Sequence, residues 1–469
     1  MPYALLTKDA IPSYFIENDL AAKLLGTTDI NAISVQEVSD GNMNFVFLVS
    51  FNECKVILKQ APPYLRVAGE DVPLAKERMH YEILALQRTS ELAPDYVPDI
   101  YHTDKEMCVV IMEYLVDHII MRNGMIAGTQ YPEFAEHISS YLAGTLFNTS
   151  LLNLTEDEHQ QLIKDFNDNP LRPITENYVF TFPFMQHTTN YPKAALSDVA
   201  QAIWQDQEFH AHVSALKSKF MHQHQALIHA DLHTGSIMVG TKANSTAVID
   251  YEFAYVGPFG FDLGALLGNL VMSWVSHFER SKNAEYQQHI LAMIVEFYTK
   301  FENKFLALWN HRLLAENNLP ANVDKETYQK EFMRNLLREM CGFAGCKIGR
   351  RQLGFVGVKD IRGIEDQAAA TRAEKMALAI AREFVVHHQK INKIEDVIAI
   401  LREFSIKHYP KDSSQHIMAT LGINMLTLVE TPQTIAANEA PLVVSTSAAS
   451  TLLQKDDTDD NLRFATNRP

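Results

Sequence analysis

The stretch LIHADLHTGSIMVG, Leu227 to Gly240, with TAVIDYE, Thr246 to Glu252, decides how the whole chain is read. SIMVG and TAVID are short apolar runs on either side of the polar turn TKANS, and they predict a β-hairpin. A hairpin brings its ends together. Asp231 just ahead of it and Asp250 and Glu252 at its far end are therefore expected side by side. Three carboxylates at one mouth repel each other, and such a cluster is expected to hold a divalent cation. His229-x-Asp231 also matches the start of the kinase catalytic loop, H-x-D-x-x-x-x-N. Ser236 stands where that pattern has Asn, and Asp250-Tyr251-Glu252 stands where it has D-F-G. Both departures point away from protein kinases and towards kinases of small molecules, with Glu252 supplying the carboxylate that replaces the missing Asn. His233 is expected to be a local hydrogen-bonding group.

The N-terminal part supplies complementary pieces. ISVQEV, NFVFLVSF and KVILKQ, between Ile33 and Gln60, are β-branched and aromatic segments separated by SDGNM and NEC, and they predict a meander. Pro73 is expected to open a helix over PLAKERMHYEILALQRT. MCVVIMEYL, Met107 to Leu115, is apolar on both faces and is expected to be a central strand. A Gly-containing turn, Lys59 on a strand, Glu82 on the next helix (with Glu77 as a rival partner), Asp231 and an acidic pair form the kit of phosphoryl transfer. Beyond Asn123 helical patterns dominate to about His408, interrupted by the two strands of the hairpin. The predicted fold class is α+β and bilobal: a β-rich N-terminal lobe over 1–115 and a mainly helical C-terminal lobe over 116–410. An extension over 411–469, rich in Ala, Ser, Thr and Asp, reads as disordered.

Composition narrows the function. The 469 residues are 47% hydrophobic, ample for two lobes, and carry a formal charge of -16 without a clustered basic face, which argues against nucleic-acid binding. GALLGNLVMSWV, Gly264 to Val275, is too short to span a bilayer and reads as a buried helix, so no membrane association is expected. The four cysteines contain no C-x-x-C pair and are expected as buried free thiols of a reducing compartment. With no basic-then-apolar leader at the N-terminus, the expected location is the cytoplasm.

At this point DGNMNFVFLV, KQAPPYLRVAGE, HADLHTGSIMV, IDYEFAYVGPFGFDLGALLGNL and GFAGCKIGRR together resemble the 5-methylthioribose kinase family, a relative of the aminoglycoside phosphotransferases and choline kinases. The resemblance runs from about Leu20 to His408. It implies a bilobal, protein-kinase-like fold, a homodimer, ATP and Mg²⁺ as cofactors, and phosphorylation of 5-methylthioribose at its 1-position in methionine salvage. By the same resemblance Asn44, Lys59 and Glu113, Tyr114 and Leu115 of the hinge contact ATP, with Glu82 behind Lys59. Asp231 is the base, Asp250 and Glu252 hold the metal, and Arg350 and Arg351 face the sugar. Two departures stand out: Val72 where relatives carry Trp, and Ala230 where they carry Gly.

Two other readings compete: a kinase of the same fold acting on choline, homoserine or an aminoglycoside, and a nucleotide-binding pseudokinase. A cationic acceptor calls for an acidic or aromatic pocket, whereas GRRQLG offers cations. The intact Lys59, Asp231, Asp250 and Glu252 argue against a pseudokinase. Adjacent arginines on a helix point about 100° apart, so Arg350 and Arg351 both reach one site only at a helix end or in a groove.

Overall fold

The computed structural model describes residues 3–38, 43–66, 69–190, 193–242, 244–312 and 322–409. Twelve strands are described: β1 (Ser34–Glu37), β2 (Phe45–Phe51), β3 (Cys54–Gln60), β4 (Tyr64–Leu65), β5 (Gly69–Pro73), β6 (Ile100–Asp104), β7 (Val109–Glu113), β8 (His118–Ile120), β9 (Ala226–Ile228), β10 (Ile237–Gly240), β11 (Thr246–Val248) and β12 (Tyr255–Gly257). The α-helices are α1 (Ile11–Glu17), α2 (Arg78–Leu92), α3 (Met121–Ala127), α4 (Phe134–Asn148), α5 (Glu156–Phe166), α6 (Arg172–Phe180), α7 (Ser197–Gln205), α8 (Gln207–His222), α9 (Gly260–Ser276), α10 (Ala284–His311), α11 (Lys325–Leu353), α12 (Lys359–Arg362), α13 (Gln367–His387) and α14 (Ile394–His408).

The N-terminal lobe is a five-stranded antiparallel sheet in the order β1-β2-β3-β7-β6. Strand pleating sorts its side chains. Phe47, Val49, Val56, Leu58, Val109 and Ile111 face one way and meet α1. Val110 and Met112 face the other way, join the large core and meet Met79, Ile83 and Leu86 of α2. Lys59 shares the parity of Ile57, which packs against that same large core, so the alternation of the strand directs its ammonium towards α2 and the cleft.

The predicted meander and the central position of β7 hold. The helix expected from Pro73 begins later, at Arg78. Pro73 instead ends β5, which pairs back on β4, and the Leu74 N–H donates to the Pro63 carbonyl at 3.1 Å. Val72 lies half-buried in this small hairpin. The turn at 39–42 and the extension from 410 onwards lie outside the described residues.

The chain leaves the sheet after β7, and β8 then pairs with β10, which pairs with β11. The hairpin inferred from sequence is therefore present, but β8, β9 and β12 add strands to a region that the sequence assigned only two. Helix α9 is buried over its whole length. Helix α11 lies along it at very close range: a Cβ on Gly264 would stand 2.6 Å from the Met340 carbonyl oxygen, and one on Gly345 would stand 2.7 Å from that of Ala381 in α13. Glycine at both positions lets three helices approach backbone to backbone, which sets the C-terminal part of α11 against the loop after β9. Of the cysteines, Cys108, Cys341 and Cys346 are buried, but Cys54 at the start of β3 is exposed, contrary to the expectation of four buried thiols. Among the described residues no helix is long and apolar enough to cross a membrane.

Candidate active site

The loop 229–236 is shaped by buried polar contacts. The Asp262 carboxylate, at the first turn of α9, accepts the backbone N–H groups of His229 at 2.6 Å and Ala230 at 2.9 Å. Ala230 has φ 64°, a left-handed conformation that costs a residue with a Cβ about 1–2 kcal/mol. The two hydrogen bonds hold it there. His229 Nε2 donates to the Ile249 carbonyl at 2.8 Å, and its Nδ1 accepts the Asp231 N–H at 3.3 Å, so the neighbours select one tautomer. Ser236 Oγ donates to the Asp231 carbonyl at 3.2 Å. The residue at the Asn position of kinases thus closes the loop on itself.

Asp231 is aimed at cations. Its Oδ1 accepts from Lys347 Nζ at 2.9 Å. Burial alone would raise its pKa, but the charges of Lys347, Arg350 and Arg351 reverse that and hold the carboxyl well below its ordinary value. Its Oδ2 lies 3.5 Å from His233 Nε2, and that nitrogen makes no hydrogen bond among the described residues. His233 Nδ1 shares a 3.0 Å hydrogen bond with Ser236 Oγ. Burial keeps this ring neutral, pushing its pKa well down, and Arg122, Arg351 and Lys347 repel a proton further against the pull of Asp231. The expectation that His233 bonds locally is met.

Arg350 and Arg351 lie in the last turn of α11, buried to 7% and 2% exposure. Both feel the charge of Asp231. Arg350 Nε is buried without a hydrogen-bond partner among the described residues. A fourth cation, Arg122 of α3, is anchored by Asp360 at 3.2 Å and Asn269 at 3.1 Å.

A separate acidic cluster forms under the N-terminal lobe. Lys59 Nζ contacts Glu82 Oε1 at 2.7 Å and also contacts Asp250 Oδ1. Glu82 is the partner, and Glu77 is exposed and pairs with Lys76. Asp250 has φ 75°, which an aspartate tolerates better than most residues, and its side chain is 37% exposed to the cleft. Glu252 is buried: its Oε2 accepts from Asn44 Nδ2 at 2.9 Å and stands 3.2 Å from Arg78 Nε. Tyr251 between them donates to the Tyr141 hydroxyl at 2.9 Å and ties the acidic pair to α4.

Three carboxylates here face two cations. Although Lys59 and Arg78 pull the other way, burial and the neighbouring Asp250 charge push the Glu82 and Glu252 carboxyls above their usual range. Burial disfavours the Lys59 ammonium, yet Asp250, Glu82 and Glu252 more than offset it and keep the lysine protonated. One more positive charge would relieve this cluster, and hard carboxylate oxygens beside an open cleft suit Mg²⁺, which takes few protein ligands.

One expectation needs correcting. Asp231, Asp250 and Glu252 do not form one metal cluster: Asp231 is bound to Lys347, the other two face Lys59 and Arg78, and among the described residues no group of three His, Cys, Asp or Glu could hold a metal ion. The amide of Asn44 is engaged at both ends, with Oδ1 accepting from Arg78 Nη2 at 2.9 Å and Nδ2 donating to Glu252 at 2.9 Å. It is a bridge between α2 and the acidic pair. Of the hinge, Glu113 exchanges backbone and side-chain bonds with Asp99, Tyr114 lies under Lys55 at 5.6 Å, and Leu115 is half-buried.

Sequence reasoning missed Lys347, Arg78, Arg122 and Asp262. Lys347 had a usable signal: it precedes Arg350 and Arg351 by one helical turn, so all three share a face.

Residues 34–294 match the phosphotransferase enzyme family. The chain is 38% identical over 398 residues to methylthioribose kinase 1 of Oryza sativa subsp. japonica, covering 82% of this chain and 92% of that one. It is 34% identical over 415 residues to the methylthioribose kinase of Escherichia coli O45:K1, covering 84% and 97%. Among solved structures, a Plasmodium vivax ethanolamine kinase aligns at 13% identity with a TM-score of 0.43, over 80% of this chain and 90% of that one.

Proposed function

The chain belongs to the methylthioribose kinase family, and from that premise we propose that it transfers the terminal phosphoryl group of ATP to 5-methylthioribose, giving 5-methylthioribose 1-phosphate and ADP, a step of methionine salvage. The observation that carries the reading is the half-buried Asp231 carboxylate, with one oxygen bound to Lys347 and the other without a hydrogen-bond donor among the described residues, in a setting of cations. That environment suits a neutral acceptor that becomes a phosphate ester. It opposes an ammonium substrate such as choline or an aminoglycoside.

In this reading Asp231 orients the sugar hydroxyl and takes its proton. Lys59, held by Glu82, pairs with nucleotide phosphates, and the segment Glu113 to Leu115 borders the base. Asp250, with the remaining oxygen of Glu252, would hold Mg²⁺, which neutralises phosphate charge when bound. Arg350, whose Nε lacks a partner among the described residues, offers a planar fork to the phosphoryl oxygens, and Arg351 supports it from deeper in the helix. The lobes divide at 115/116. A homodimer in the cytoplasm completes the proposal.

ADP release measured with 5-methylthioribose, choline, homoserine and an aminoglycoside, with and without Mg²⁺, tests it. Metal-dependent turnover of methylthioribose is expected. Turnover of choline or an aminoglycoside with none of methylthioribose would overturn it.

A further inference from the structure

Lys347 has no role in the reaction as described so far, yet it makes the only side-chain hydrogen bond to Asp231 among the described residues. It is 3% exposed and projects from α11, a helix remote in sequence from the catalytic loop. Its ammonium rests 4.7 Å from the centre of the Phe261 ring, which leaves it little freedom to swing away. We propose that Lys347 is a positioning residue for phosphoryl transfer: by fixing one oxygen of Asp231 it leaves the other as the single acceptor of the sugar hydroxyl proton.

The geometry supports this division. Oδ1 is bound by Lys347, while Oδ2 lies 3.5 Å from His233 Nε2, which makes no hydrogen bond among the described residues. As the new O–P bond forms, the hydroxyl O–H bond breaks and its proton passes to Oδ2. The bond from the phosphorus to its bridging oxygen breaks and ADP leaves. Free rotation of the carboxylate would scatter that acceptor position, and an ångström of misplacement in a reacting pair can cost about 10²-fold in rate.

The charged groups around the lysine give the role a pH signature. Asp231 and neutral His233 face it from the loop, Asp262 from α9, and Arg350 and Arg351 from its own helix, with Arg122 and Asp360 beyond. Burial, with repulsion from the two arginines, outweighs the attraction of Asp231 and brings Lys347 down to about 8. The two partners thus shift in the same direction because cations outnumber anions here: Asp231 gains from the excess and Lys347 suffers from it. Above pH 8 the ammonium is lost and Oδ1 is released.

This inference rests on the kinase reading, so wild-type turnover of 5-methylthioribose is measured first, and its absence would overturn both. Given turnover, kcat is expected to fall on the alkaline side of about pH 8. Lys347→Met is expected to lower kcat by about 10²-fold with unchanged Mg²⁺-ATP binding by calorimetry, and to move the acid limb to higher pH because Asp231 loses its nearest cation. Lys347→Arg keeps a charge that does not titrate in this range, so it should recover part of the rate and abolish the alkaline limb. A Lys347→Met enzyme with wild-type kcat and pH profile would overturn the proposal. Should that variant fail to fold, an unchanged alkaline limb in Lys347→Arg would overturn it by itself.

Discussion

Replacing Asp231 by Asn separates the catalytic from the electrostatic duty of this carboxylate. The amide has nearly the same shape, and the backbone bonds to His229 and Ser236 do not involve the side chain, so the loop is expected to keep its course. Loss of a positioned base lowers kcat by about 10²–10⁴-fold, or roughly 3–5 kcal/mol at 1.36 kcal/mol per tenfold. Nucleotide affinity should hardly move, because Lys59 and Asp250 belong to the other cluster. Stability should move, and in a pH-dependent way. Breaking a buried ion pair costs about 3–5 kcal/mol when the remaining charge cannot escape. Here Lys347, already lowered to about 8 by burial, escapes by losing its proton. A lysine whose folded pKa lies below its unfolded value is unfavourable in acid, and its penalty is relieved as pH rises through the folded value, since the unfolded chain then binds more protons. Destabilisation of the variant relative to wild type should therefore be largest near pH 6 and smaller at pH 9. Urea denaturation at both values, kcat at saturating substrates and an Mg²⁺-ATP titration provide the three readings. A kcat within threefold of wild type would refute the assignment of Asp231 as base, and equal destabilisation at both pH values would refute the account of Lys347.

Asp250→Ala should weaken Mg²⁺-dependent nucleotide binding, seen by calorimetry with and without the metal, and an unchanged titration would remove Asp250 from the metal site. Arg350→Lys keeps the charge and loses the fork, so kcat/KM for the sugar should fall by at least about tenfold, with ATP affinity retained; steady-state kinetics equal to wild type would make this arginine structural. Asp262→Asn leaves one of two buried N–H groups facing an amide NH₂, at a cost of about 1–3 kcal/mol. Denaturation should register that loss, and hydrogen exchange should quicken at His229 and Ala230. Unaltered protection there would show that the loop does not depend on Asp262.

Much of the architecture was legible because it rests on local patterns. Runs of β-branched and aromatic residues in 45–60, and a run apolar on both faces in 107–113, specify strands, and the pleat of β3 then directs Lys59 to the face that meets α2. The apolar run of α9 specifies a helix buried on all sides. Local signals failed where pairing across a short distance competed with helix propensity, as at Pro73, and where strands of three residues carry too little pattern to be seen, as in β8, β9 and β12.

The chemistry divides along the same line. Sequence alone determined that Asp231, Asp250 and Glu252 sit at the ends of one hairpin, because connectivity brings chain ends together. It could not determine which way each carboxylate turns. That was decided by α2, which brings Glu82 and Arg78 to Lys59, Asn44 and Glu252, and by α11, which brings Lys347 to Asp231. Helix α11 reaches the loop because Gly264 and Gly345 permit contact at backbone distance with α9 and α13. The contacts of Lys347 with Asp231 and of Asn44 with Glu252 join residues 116 and 208 positions apart, and the packing that creates them is a property of the assembled helices, which no single segment carries.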